Sequence, residues 1–240
     1  MLKFCLTVDC EGLISFKQGN PEWGIWGNFK FCINKSIKNF RYNKNGFWLF
    51  YNEIKNKKFP CTFMLVGKLF KPVEYLDFIE WGYHTYNHVP LNLISNENIE
   101  KEVRNIYNVQ SITTPMWRVE DVENPERIFN ILKKSGYENT VYHGRVKKEK
   151  TFYKKFVKKP EIRFGIKCVH VSNYFEGNWN KEKINKVKKD ILKNINKDAV
   201  YLLTTHDFTH RNLRNLKEII RFVNKLEKIG KIKIVNLGKA

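Results

Sequence analysis

What this chain lacks bounds it first. No stretch of its 240 residues is long and apolar enough to cross a bilayer, which takes about 20 consecutive apolar residues. The chain runs at once into a strand-like segment, Leu2-Lys3-Phe4-Cys5-Leu6-Thr7-Val8. The charged and then apolar stretches of an export signal are missing, so the expected location is cytoplasmic. Cysteine is sparse and unpatterned: Cys5, Cys10, Cys32, Cys61 and Cys168 form no CxxC pair. That excludes a zinc-finger framework, and an odd count in a chain of this size argues against a disulfide scaffold. Acidic residues are few, 24 against 44 Lys and Arg, for a formal charge of +20.

What is present is a folded protein. A hydrophobic fraction of 42% and an aromatic fraction of 15% suit one domain spanning 1–240 with a substantial core. There is no internal repeat, low-complexity linker or domain boundary. The positive charge is partly clustered, with seven lysines between Lys147 and Lys159 and a second basic run from Lys181 to Lys197. The simpler reading is a solvated lysine-rich surface. The sharper one is attraction to an anionic glycan, a phosphate or a membrane surface. No nucleic-acid motif stands in the chain, so no specific nucleic-acid partner is expected. Oligomeric state is not legible.

Strand-like and helix-like segments alternate, the pattern of an α/β fold. Phe4 to Val8 reads as a buried strand delivering Asp9 and Glu11 at its C-terminal end. A Gly- and Trp-rich loop follows at 19–27, containing Trp23 and Trp26. Gly46 to Lys57 has the spacing of an amphipathic helix, and Cys61 to Val66 reads as a second buried strand. Val73 to Trp81 reads as a helix capped by Gly82. Helices are also expected from Glu97 to Tyr107, capped by Ser95 or Asn96, from Pro125 to Ser135 and from Leu213 to Ile229. Val200 to Thr205 reads as a late buried strand delivering His206, and Ile232 to Leu237 as the last strand. The reactive residues thus collect at strand C-terminal ends, where β/α loops build sites in barrel-like folds.

His84-Thr85-Tyr86-Asn87-His88 carries the chemistry. Two imidazoles four apart on a helical turn share a face. With one carboxylate they can hold a divalent ion while leaving a position open for catalysis. Asp9 and Glu11 supply candidates for the third ligand, and the remaining carboxylate and His206 could act as base and acid. Two buried carboxylates without partners would repel, so an idle Asp9 and Glu11 should be exposed. His206-Asp207 and His210-Arg211 could instead form a surface cluster leading into the final helix. His143 and His170 match no pattern.

Taken in order, these segments resemble the polysaccharide deacetylases of carbohydrate esterase family four. Leu6-Thr7-Val8-Asp9-Cys10-Glu11 is similar to the family's first strand in its D-x-D/D-x-E variant. Cys61-Thr62-Phe63-Met64-Leu65-Val66-Gly67 is similar to its A-T-F-F-V-V-G strand. Gly82 to His88 holds H-[ST]-x-x-H, and Leu203-Thr204-Thr205-His206 matches L-x-T-H. The resemblance covers nearly the whole chain. It implies a single-domain distorted (β/α) barrel and hydrolysis of an N-acetyl, sometimes O-acetyl, group on a sugar or glycan precursor.

The resemblance also implies roles. His84, His88 and Glu11 would hold the metal, with Cys10 as the alternative to Glu11. Asp9 would be the general base, His206 the general acid, and the Met116 N–H would stabilise the oxyanion. Zinc is the default ion for such ligands, with cobalt, nickel, manganese and iron open. The family's R-x-P-Y motif stands here as Thr113-Thr114-Pro115-Met116-Trp117-Arg118. Its arginine, which orients the catalytic aspartate, is replaced by Thr113, and Arg118 is the candidate substitute. Trp23, Trp26 and Trp117 are either core aromatics or faces for stacking on a sugar. Two other functions stay open: hydrolysis of non-peptide C–N bonds in small amides, and glycan binding without turnover.

Overall fold

In the computed structural model, residues 1–12, 45–121, 123–147, 150–153, 156–175, 180–208 and 210–240 are described. Strand β1 (Leu2–Cys10) is buried along nearly all its length. That double burial explains its near-continuous apolar sequence. Its side chains still alternate between two faces. Leu2, Phe4, Leu6, Val8 and Cys10 face an outer core under the helices, whereas Cys5 lies in a second core inside the barrel. By the same alternation Thr7 and Asp9 point inward.

The chain continues through helix α1 (Gly46–Lys57), β2 (Cys61–Leu65), β3 (Ile79–Tyr83), α2 (Asn96–Glu102), β4 (Ser111–Ile112), α3 (Glu126–Lys134) and β5 (Asn139–Tyr142). A hairpin follows, β6 (Gly144–Lys147) with β7 (Lys150–Tyr153), then β8 (Glu161–Arg163), β9 (Ile166–Phe175), α4 (Lys181–Asn194), β10 (Val200–His206), α5 (His210–Lys228) and β11 (Ile232–Val235). Seven parallel strands in the order β1-β2-β3-β4-β5-β9-β10 form a ring that closes where β10 pairs with β1. This is the distorted (β/α) barrel. β8 extends it as an antiparallel edge on β9, and β11 pairs with the N-terminal half of β1.

The outer core is aromatic where α1 meets β2 and β3. Phe63 packs edge-on to Phe47 at 6.1 Å and beside Trp81 at 5.7 Å. Burying one such side chain stabilises the fold by roughly 1.5–3 kcal/mol. On the neighbouring pair, Phe4 and Tyr201 stand opposite each other in register and stack at 6.1 Å.

Several elements differ from their sequence reading. Val73 to Trp81 is not a helix: its first part is irregular and Ile79 to Tyr83 is β3, paired residue for residue with β2. Tertiary pairing overrides local propensity here. Gly82 is not a helix cap but a point of close approach, since a Cβ there would lie 2.4 Å from Met64 Sδ and 3.1 Å from the Ser111 carbonyl oxygen. Helix α2 ends at Glu102 rather than Tyr107, with Ser95 capping it through Asn98 N–H at 3.4 Å. β11 stops at Val235, and Leu237 begins a short 3-10 turn. Strands β4 to β9 and helix α4 have no counterpart in the sequence reading. Among the described residues Cys5, Cys10, Cys61 and Cys168 are free and buried, and no helix is long and apolar enough to cross a membrane.

Candidate active site

The C-terminal ends of β1, β3 and β10 deliver the reactive residues to one mouth of the barrel. Asp9 and His206 are direct register partners on adjacent strands. Glu11 follows the end of β1 with its backbone held from the side: Asp207 Oδ1 accepts the N–H groups of Glu11 at 3.2 Å and Gly12 at 3.1 Å. Asp207 is buried, so it is not part of a surface cluster with His206, and the side chains of His210 and Arg211 lie outside the described residues.

His84 and His88 do not share a helical turn. Thr85 and His88 adopt left-handed backbone angles, φ 59° and 62°, and this reversal sets the two rings 4.9 Å apart. The spacing signal was right about proximity and wrong about its cause. His84 Nδ1 lies 3.0 Å from the Thr113 carbonyl oxygen. An N–H donated there leaves Nε2 with a lone pair.

Three imidazoles converge on one carboxylate oxygen. Glu11 Oε1 is 3.0 Å from His84 Nε2, 3.0 Å from His88 Nε2 and 3.3 Å from His206 Nε2. Burial opposes the Glu11 charge, but His88, His206 and His84 overcome it and hold its carboxyl well below the usual carboxylate range. Burial pushes Asp9 up, helped by Glu11 and opposed by His84 and His206. His84 is raised despite its burial by Asp9 and Glu11. Asp9 and Glu11 are 2% and 5% exposed, so both carboxylates are buried, and Glu11 is paired with the imidazoles.

The donor set fits a divalent cation. Glu11, His84 and His88 each offer one ligand atom within 4.8 Å of the others, and Asp9, Glu11 and His206 do the same. Tetrahedral bonds of about 2.0–2.1 Å place neighbouring donors about 3.3 Å apart, close to the separations observed. Lone pairs from two imidazoles and a carboxylate facing one another need a positive charge between them, supplied by a metal or by protons. Asp9 Oδ1 is buried with no hydrogen-bond partner among the described residues. Cys10 does not belong to this set. Its side chain joins the outer core, its thiol donates to the Val8 carbonyl oxygen at 3.4 Å, and burial pushes that thiol up. Strand alternation therefore puts Glu11, not Cys10, beside the histidines.

The turn after β4 closes the mouth on a second side. Met116 and Trp117 have positive φ, 58° and 53°, and Met116 is half-buried. Trp117 is almost wholly buried, edge-on to His143 at 4.8 Å and tilted against Tyr174 at 5.4 Å. It packs in the inner core, which limits the area it can offer a sugar ring. Arg118 is fully buried and donates to Asn92 Oδ1 at 3.4 Å. The charges acting on Asp9 include those of His84, His206, Glu11 and His88. Trp23 and Trp26 lie outside the described residues. The sequence reading missed two carboxylates that hold this site's backbone, Asp207 and Glu102. Asp207 stood next to a flagged histidine, whereas nothing local marks Glu102.

No protein-family model and no curated protein sequence matches the chain. Solved structures do. A protein from Mycobacterium smegmatis assigned as a polysaccharide deacetylase superposes with TM-score 0.62 at 13% identity, over 99% of this chain and 88% of that one. The chain has the polysaccharide deacetylase fold. A peptidoglycan N-acetylglucosamine deacetylase solved with an N-oxidanyl-benzamide superposes with TM-score 0.52 at 13% identity, over 99% of this chain and 86% of that one. Within the polysaccharide deacetylase fold the reactive cluster occupies the strand C-terminal mouth, where barrel sites are built.

Proposed function

We propose that this protein is a metal-dependent hydrolase that removes an acetyl group, N-linked or O-linked, from a sugar or glycan precursor. The observation that carries the reading is the convergence of His84, His88 and His206 on Glu11 Oε1, beside the buried carboxylate of Asp9. Glu11, His84 and His88 would hold the ion, with zinc expected for such ligands. The chemistry such an ion supplies when bound is polarisation of the acyl carbonyl and acidification of the attacking water to roughly pKa 7.

The chain's own groups account for the proton movements. Asp9 accepts a proton from the water as its oxygen attacks the acyl carbon. His206 gives a proton to the departing sugar nitrogen as the C–N bond breaks, leaving acetate and a free amine. The Met116 N–H would face the oxyanion, a role the family resemblance assigns. The formal charge of +20 favours an anionic substrate or the face of an anionic membrane, an attraction that added salt would weaken.

The test is metal content followed by acetate release. Purified protein should carry near one equivalent of divalent metal, and His84→Ala and Glu11→Gln should lose it. Wild type should then release acetate from N-acetylated sugar oligomers. Protein that binds no metal after incubation with zinc or cobalt would sink the reading. Metal binding with turnover of small amides but not acetylated sugars would move it to another C–N hydrolase, and metal binding with no turnover to a glycan-binding relative.

A further inference from the structure

We infer that Glu102 is a positioning residue for the metal-ligand turn. The inference rests on the metal-site reading above. Glu102 is the last residue of α2 and is 7% exposed. A carboxylate at the C-terminal end of a helix faces the negative end of the helix dipole, and burial adds to that cost. Both of its oxygens are directed at one residue. Oε2 accepts the backbone N–H of Asn87 at 2.8 Å, and Oε1 accepts from Asn87 Nδ2 at 2.7 Å. The Glu102 carbonyl oxygen also accepts the N–H of Tyr86 at 2.8 Å.

Asn87 and Tyr86 are the residues between the left-handed Thr85 and the left-handed His88. Left-handed backbone is unfavourable for residues with a Cβ, and such a turn does not hold its shape by local preference. The other side of the turn is tied to the segment after β2, through Gly67 N–H to the Thr85 carbonyl oxygen at 2.9 Å and Lys68 N–H to that of Tyr86 at 3.0 Å. Glu102 supplies the opposing grip. Its bonds stop one residue short of His88, so it sets where the His88 ring stands without touching the ring. Charged, bidentate acceptors of this kind are the stronger hydrogen bonds. Partners that orient a metal ligand typically change metal affinity by roughly 10–100-fold when removed.

The experiment titrates metal-free protein with zinc against a chromophoric chelator and records thermal melts of the same metal-free samples. Wild type is compared with Glu102→Ala, Glu102→Gln and Asn87→Ala. Expected are roughly 10-fold or greater losses of zinc affinity in Glu102→Ala and Asn87→Ala. Glu102→Gln should recover most of that affinity, because its carbonyl accepts the Asn87 N–H while its amide donates to a turned Asn87 side chain. A role in stability alone would lower the melting temperature and leave zinc affinity unchanged, which overturns the inference. Should Glu102→Ala fail to fold, Asn87→Ala decides in the same way. Wild type that binds no zinc overturns the site reading and this inference with it. Wild type and all variants binding zinc equally overturns this inference alone.

Discussion

Asp207 Oδ1 accepts the backbone N–H of Glu11 at 3.2 Å, across 196 positions of sequence. Gly12, with φ +54°, turns the chain so that its own N–H meets the same oxygen at 3.1 Å. The Asp207 N–H returns to the Asp9 carbonyl oxygen at 3.2 Å, so the ends of β1 and β10 are laced together beneath the site. Burial and the nearby Glu11 charge push Asp207 up to about 7, against the two backbone N–H groups that lower it. Asp207→Ala leaves the buried Glu11 N–H and the half-buried Gly12 N–H without their acceptor, which costs about 1–3 kcal/mol and should loosen Glu11. Asp207→Asn keeps an acceptor oxygen. Urea unfolding and zinc titration should show the alanine variant impaired in both and the asparagine variant close to wild type.

Asp9→Asn separates base from ligand. With Asp9 as general base, the variant keeps its metal and loses roughly 10²–10⁴-fold in turnover. Metal analysis and acetate release on the same preparation check this. Loss of metal in Asp9→Asn would instead make Asp9 a ligand, as its place in the second donor group of Asp9, Glu11 and His206 would allow.

Metal removal should lower stability. Zinc held at 100 times its dissociation constant stabilises the folded state by about 2.7 kcal/mol. Wild type should therefore melt lower in chelator than in zinc, whereas His84→Ala should melt at the same temperature in both. A wild-type melt indifferent to zinc would contradict ligation by Glu11, His84 and His88.

His170 predicts an acid-sensitive fold. Its ring is 4% exposed, packed edge-on to Tyr142 at 5.0 Å and Phe156 at 5.8 Å. Burial, with help from Lys158, pushes it down to about 4 despite Glu161 alongside. The folded-state value lies below the unfolded one of about 6.5, so the unfolded chain takes up the proton first. The stability that comes from keeping His170 neutral is complete above about pH 6.5 and is lost as pH falls toward 4. The slope in that window is at most about 1.4 kcal/mol per pH unit. Urea midpoints across the window should fall with pH, and His170→Gln should flatten that dependence.

Gly46→Ala tests how α1 seats on the site's underside. A Cβ at Gly46 would lie 1.8 Å from the Asp207 backbone carbonyl oxygen. Backbone cannot yield as a flexible side chain can, so the substitution should cost about 2 kcal/mol or more. A wild-type melting temperature in this variant would mean that α1 packs elsewhere.

Much of the barrel is legible in the chain because its signals are local. β1, β2 and β10 are largely apolar runs, and α1 and α3 carry 3.6-residue spacing with recognisable ends. Short strands are harder to read. β4 contributes only Ser111 and Ile112, and its strand character comes from neighbours on both sides rather than from its own residues. Ile79 to Tyr83 misled for the same reason: its ladder to β2 outweighs a spacing that reads as helical.

The sequence by itself determined which groups could do chemistry, since Asp9, Glu11, His84, His88 and His206 stand in motifs whose order and spacing survive reading one residue at a time. It left Cys10 and Glu11 as rival ligands. Only the tertiary structure set them apart in space, because strand alternation sends the Cys10 side chain outward and leaves that of Glu11 beside the imidazoles. The folded chain also turned the histidine pair by left-handed backbone rather than a helix, and it brought Asp207 and Glu102 to the loops that carry Glu11 and the two histidines. Those contacts join residues 196 and 15 positions apart. Their energy depends on burial and hydrogen-bond geometry that only the closed barrel creates.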